Sequence, residues 1–496
     1  MKFLRSALGM VLAASAGTAM AAGGNANLGE VQFQTSCTEA GEGAFETGLL
    51  LLHHMMYRRS AEAFEKAIAT DPKCAMAQWG LAMSKFHPLW PGGPTPEETK
   101  IGRLAAKRLA DMGHGSKYEA AFIDAVLTFY EGEEVPYRAR LAAWAKAQLA
   151  VLEAFPDDHE AQAFGSLAQM TLAPKGPAAV PDLIEAGART DALRAKAPRH
   201  PGASHYSIHA YDHPALAERG LEVSRSYMSI APEVTHALHM PTHIFTRLGH
   251  WEESVVLNVR SAKAAIDQAV GDVISDHYPH AVDYAVYAHL QLGQADKANE
   301  MLTQMGKFPN LEDNFGTAYA TAAAPARIPL EQDAWATAAQ LPKTLNPGVS
   351  WGRYPQAVAI RWFAIGIGAA RSGDVDAAKN ALSKLESLGV VMEERGMRYW
   401  IALLEAQTKG IEAWIAFDAG DKVKAVSLMR MAADVEDKVG KAPVTPGHVL
   451  PARELLGDLL MATGDASAAA EAYQVALKQS PNRRRSVRGH AQAMAQ

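Results

Sequence analysis

Residues 456–481 read LGDLLMATGDASAAAEAYQVALKQSP, a pattern of helix, turn, helix. Apolar residues recur every three or four places on both sides of Gly464-Asp465, a pair that stops one helix and starts the next. Gly457, Ala469 and Ala476 are small where two helices must approach, and Pro481 closes the unit 24 residues after Gly457. Elsewhere in the chain Val, Ile and Thr do not alternate with polar residues for long, so the reading is all-α.

The same arrangement returns along the sequence. Gly48, Phe64, Ala67 and Pro72 form an N-terminal copy, followed by a helix with Trp79, Ala82 and Met83, Ala82 standing 34 residues after Gly48. Trp362, Ile365, Gly366, Gly373, Ala378, Leu382 and Leu385 form another, and Ala413, Gly420, Ala425, Met429 and Ala432 the next. Degenerate copies run from Ile208 to Pro232 and from Thr242 through Gly249 to Ser254. Val286, Gly293, Ala298 and Leu302 follow after an insertion of roughly ten residues in the ~34-residue period. Gly306 to Gln356 is rich in Pro, Gly and Ala and reads as irregular helical linkage, and Trp90-Pro91-Gly92-Gly93-Pro94 reads as a loop between helices.

The unit resembles the tetratricopeptide repeat (TPR), in which Gly457 and Pro481 would hold the eighth and thirty-second places. The resemblance implies a solenoid of stacked helix pairs with a concave groove lined by the first helix of each pair. The expected organisation is a signal peptide over 1–21, an N-terminal extension over 22–41, a TPR-like array over 42–305, a linker over 306–356 and a C-terminal TPR array over 357–496. The runs His53-His54-Met55-Met56-Tyr57, His205-Tyr206-Ser207-Ile208-His209 and His239-Met240-Pro241-Thr242-His243-Ile244 are similar to those of a group of exported bacterial repeat proteins. That likeness implies fold, not chemistry.

Ten of the 18 histidines fall between His205 and His289, where about three would be expected from the chain's overall frequency. In TPR numbering the second, fifth, ninth, twelfth and thirteenth places of the first helix face the groove. The family pattern therefore puts His205, His209, Asp212 and His213 there from one unit and His236, His239 and His243 from the next. His280, Asp283 and Tyr287 come from a third, and His53 and His87 fall at the thirteenth place of the two N-terminal units. Side chains four apart on a helix share a face, so His205/His209 and His239/His243 can each converge on one ion. These four are the expected metal ligands. Asp212, His213, His236, His280, Asp283, His53 and His87 are further groove candidates, with Asp212 or Asp283 as oxygen ligand or orienter. His236, His250 and His289 also read as ordinary capping or surface residues, and His54, beside two methionines, as core-facing. Imidazole with carboxylate suits zinc, copper, iron or nickel. Pro241, between His239 and His243, either kinks a helix or begins one, and so splays or aims the pair.

The chain's beginning carries Lys2 and Arg5, an apolar run from Ala7 to Ala16 and Ala19-Met20-Ala21, the pattern of a secretory signal cleaved after Ala21. A periplasmic or secreted protein is expected, with no membrane span. Loss of Lys2 and Arg5 takes the formal charge from −6 to −8, which argues against nucleic acid as a partner. The basic run Arg483-Arg484-Arg485 with Arg488 reads as a solvated terminus. Cys37 and Cys74 flank a helical hairpin and are expected to form a disulfide in an oxidising compartment. Three functions remain open. One is metal binding in the groove; another is a metal-free scaffold that clamps a protein or peptide there. The last is a metal-assisted hydrolase or oxidoreductase with Asp283, Asp212 or Glu218 as base. No H-E-x-x-H, nucleophile elbow, phosphate loop or dinucleotide fingerprint accompanies the last.

Overall fold

The computed structural model describes residues 27–496 except 91, 92, 114, 133, 270, 344 and 443. The expected signal peptide, and Pro91 and Gly92 of the expected loop, lie outside the described residues.

Three turns of the C-terminal third use the same two residues: Gly373-Asp374, Gly420-Asp421 and Gly464-Asp465. The glycines hold φ at 79°, 84° and 91°, a region that a Cβ makes costly. Each aspartate then caps the next helix, accepting the N–H of Ala377, Lys424 and Ala468 at 3.0, 3.0 and 3.1 Å. The hairpins Pro355–Arg371 with Val375–Glu394, Arg398–Asp418 with Lys422–Val439, and Ala452–Thr463 with Ala466–Gln479 result, and the two helices of each pair pack together. A Cβ on Gly457 would lie 2.6 Å from the Tyr473 ring, so the pair closes only with glycine there.

Helices follow one another from Glu39 to Met494, and among the described residues the β structure is one isolated bridge, Ile274 to Leu311. The fold is an all-α, TPR-like superhelix. No helix among the described residues is long and apolar enough to cross a membrane. Cys37 and Cys74 are joined in a disulfide that ties the segment before Glu39–His53 to the start of Ala75–Met83. Residues 28–38 lie against the helices: Leu28 is buried with Leu50 and Leu51, and Phe33 sits among Phe45, Trp79, Tyr118 and Phe122.

Two large apolar cores occupy the ends, one through Phe45, Trp79 and Trp144, the other through Phe363, Leu385 and Leu456. The helices between them hold only smaller apolar clusters, such as Leu238, Phe245 and Leu257. What they bury instead is imidazole.

The structure departs from the sequence reading in three places. The stretch 306–356, read as irregular linkage, contains the regular helix Phe315–Glu331, packed against both His277–Gln291 and Pro355–Arg371. It is buried on nearly every side, so it has no polar stripe to mark its period, and Pro325 and Pro329 disguise it further. The arginine run is not a solvated terminus: Arg483 and Arg485 are buried, because Glu331 from one helix and Glu454 and Asp458 from another neutralise them at 2.6, 2.9 and 2.7 Å. The inner face is not open either. Arg327, fully buried, donates to the carbonyls of Gly447 and His448 at 3.0 and 3.1 Å, drawing the segment after Lys422–Val439 across it. The last turn also meets the middle of the chain, where Trp251 Nε1 donates to the Asn482 carbonyl at 3.0 Å, and Asn482 donates to that of Gly249 at 3.3 Å.

Candidate metal centre

Four short helices bring the histidines together. His205 and His209 stand one turn apart on Pro201–Tyr211, whose start is capped by the His200 ring accepting the Ala203 N–H at 3.2 Å. His236 and His239 lie on Thr235–His239, His243 on Pro241–Leu248, and His277 and His280 on His277–Gln291. Pro241 sits at the first position of its helix, where its missing N–H costs little. The pair is not splayed: the rings of His239 and His243 are 4.9 Å apart and their Nε2 atoms 3.0 Å apart.

The remaining ring nitrogens fix the tautomers. Asn258 donates through its amide nitrogen to the Ser254 carbonyl at 2.8 Å, which turns its oxygen toward His239 Nδ1 at 2.7 Å. That oxygen only accepts, so His239 carries its proton on Nδ1. Asp212 Oδ2 lies 2.9 Å from His243 Nδ1, and the carboxylate, also paired with Arg247, holds the proton there too. Two neutral imidazoles so arranged direct two lone pairs at each other across 3.0 Å, a repulsive contact unless a cation lies between them. A proton is a poor candidate, because burial first and the neighbouring imidazoles next hold His239 well below the usual histidine range. Burial lowers His243 as well, although Asp212 opposes the shift. Ligands at about 2.0–2.1 Å from one ion and this far apart subtend close to a right angle at it, which a metal accepts.

His280 completes this group, and one nitrogen of each of His239, His243 and His280 lies within 4.8 Å of the others. His205, His209 and His236 form a second group by the same measure. The structure thus divides the four expected ligands between two triads, each pair meeting a histidine of another helix, His236 in one case and His280 in the other. His236 is not a capping residue: it is buried between His205, at 4.9 Å between ring centres, and His277, at 4.8 Å.

The other candidates lie elsewhere. Asp283 faces Arg327 at 2.8 Å in a buried ion pair, since the arginine is the nearest means of neutralising it. Asp212 orients His243. His213 is half-buried at a helix end, accepting the Ala215 N–H at 3.2 Å. His87 stacks on Tyr57 at 4.3 Å and faces Glu98 at 3.2 Å. His53 belongs to a third buried group with Glu160 and His200, at 2.7 and 3.1 Å. Here the hydrogens are accounted for. Each imidazole gives Nε2–H to one carboxylate oxygen, His53 Nδ1 faces the Tyr206 hydroxyl at 3.1 Å and His200 Nδ1 caps its helix. The two imidazoles outweigh burial and hold Glu160 far below the usual carboxylate range. His54 is fully buried between Tyr227 and the Leu28 carbonyl, while His250 and His289 bond locally to Glu253 and Gln294.

Sequence reading missed Asn258, Glu160, His200 and Arg327. Of these only His200, a polar residue just before Pro201, carried a local signal, that of a helix cap. A small cleft of about 80 Å³ adjoins the centre, lined in part by Tyr57, His87, Trp90, Asp276, His277 and Glu312, and Trp90 and His277 separate it from His236.

No protein-family model and no curated protein matches the chain. Solved structures similar to it include Naa15/Naa10 bound to HypK-THB, at 12% identity over 92% of this chain and 75% of that one, with a TM-score of 0.25. The Cut9-Hcn1 assembly of APC/C is 13% identical over 92% and 90%, with a TM-score of 0.28. The P58(IPK) TPR domain is 13% identical over 92% and 97%, with a TM-score of 0.22. At such scores these likenesses carry no weight, and the assignment of fold rests on the helix pairs themselves.

Proposed function

We propose that this chain is an exported, TPR-like protein that binds a transition-metal ion through His239, His243 and His280. The observation that carries the reading is the pair of Nε2 atoms 3.0 Å apart, each with its Nδ1 proton committed to an oxygen acceptor. That is the arrangement in which outer acceptors set the tautomer and raise the basicity of metal-ligating imidazoles. Borderline ions suit three nitrogens, so zinc, copper, iron and nickel are the candidates and magnesium and calcium are not. Export is supported by the charged, apolar and small-residue order of residues 1–21 and by the Cys37–Cys74 disulfide.

Residues 22–496, produced without a polyhistidine tag, loaded with Zn²⁺ or Cu²⁺ and desalted, should retain metal by elemental analysis. His243→Ala should lose one equivalent while keeping its helical circular dichroism. Metal content in the folded native protein no higher than in a His239→Ala/His243→Ala double variant would overturn the reading.

A further inference from the structure

We infer that the centre is dinuclear, with a second ion held by His205, His209 and His236 beside the first. This rests on the reading just given, but on different atoms. His205 Nδ1 donates to the His53 carbonyl at 2.6 Å, and since a carbonyl only accepts, His205 Nε2 is a lone pair. That atom, His209 Nε2 and both ring nitrogens of His236 are buried and have no hydrogen-bond partner among the described residues. Leaving one buried polar atom unsatisfied costs about 1–3 kcal/mol, so several converging in one place call for a common partner.

The chemistry of that partner follows from what surrounds it. A water molecule could satisfy these atoms only with an N–H of His209 or His236 turned to its oxygen and its own two protons given to the other rings. A proton satisfies at most two of them, the nitrogen it sits on and the one it faces. A metal cation accepts all three lone pairs at once. The contrast with His53, Glu160 and His200 is informative, because that group has three potential ligands equally buried and yet consumes its own protons.

The two triads adjoin. His236 and His239 belong to one short helix with ring centres 6.2 Å apart. Neither triad contains a carboxylate, so the ions' charge is left to Asp212 and to small ligands.

Cu²⁺ is the useful probe, because two neighbouring copper ions couple magnetically. The untagged chain should take up two equivalents, with fewer spins by electron paramagnetic resonance than copper atoms. His209→Ala and His243→Ala should each hold one equivalent whose spin count equals the copper count, and the double variant none. His209→Gln, closer in size, replaces the alanine variant if that fails to fold. One equivalent in both the native chain and folded His209→Ala, lost in His243→Ala, would refute the second ion and leave the first. Two equivalents with full spin count would refute their adjacency. No metal in the native chain would refute the preceding reading itself.

Discussion

Asn258 decides which nitrogen of His239 faces His243. Its own orientation is set one helical turn earlier by the Ser254 carbonyl, so a backbone group on one helix selects a tautomer on another. Removing such an outer acceptor typically weakens metal affinity about 10–100-fold. Asn258→Ala should therefore keep its metal content at saturation while yielding the ion to a competing chelator at correspondingly lower chelator concentration. Equal competition curves for the variant and the native chain would mean that the tautomer is set by something else. The four paired histidines were legible because helical spacing is a local property of sequence. Asn258, and the His53 carbonyl that orients His205, were not, since their roles arise only when separate helices meet.

At the scale of elements, Pro241 stands between His239 and His243 without splaying them. Met240 before it is helical in φ and ψ, and His239 and His243 lie 4.9 Å apart between ring centres, much as His205 and His209 do at 4.7 Å on an uninterrupted helix. Pro241→Ala restores an N–H able to reach the Ala237 carbonyl. The added hydrogen bond, about 0.5–1.5 kcal/mol, opposes the loss of proline's restraint on the unfolded chain, about 0.4–1 kcal/mol. The metal-free variant should thus melt within a few degrees of the native protein and, with the helical spacing of the pair kept, bind Zn²⁺ with much the same affinity. A loss of tenfold or more by isothermal titration, about 1.4 kcal/mol, would show that proline itself aims the pair. The helix pairs with Gly-Asp turns were legible for the reason that their turns are: one residue supplies a left-handed conformation and the next a cap. Phe315–Glu331 was hidden because amphipathic period is a signal of partial burial, and this helix has almost none of its surface in water.

For the whole molecule, the decisive feature is that the last repeat returns to the middle one. Arg483 carries the closure: fully buried, it faces Glu454 at 2.9 Å, Glu331 at 2.6 Å and the Tyr287 hydroxyl at 3.0 Å, the last from the helix that also bears His280. Arg327 acts from the same direction, stacking on Tyr287 and gripping the segment at Gly447 and His448. The histidines are thereby enclosed by charges that a linear reading places at a solvated end. Removing one partner of such a pair leaves an uncompensated buried charge and costs about 3–5 kcal/mol, so Arg483→Met should unfold at markedly lower denaturant than the native chain. The deficit should also depend on pH. Burial already raises Glu454 above the usual carboxylate range against the pull of Arg483 and Arg485, and loss of Arg483 raises it further. A carboxyl whose folded pKa exceeds its unfolded one binds more protons in the folded state, so its contribution falls as pH rises from the unfolded value toward the folded one. That window is wider in the variant, and its stability deficit should grow as pH rises from about 4, the unfolded carboxylate value, to neutrality. Denaturant melts at both ends of that range test this: a deficit that is the same at each would mean that Glu454 and Glu331 find other partners, and that the superhelix is held closed by its apolar contacts alone.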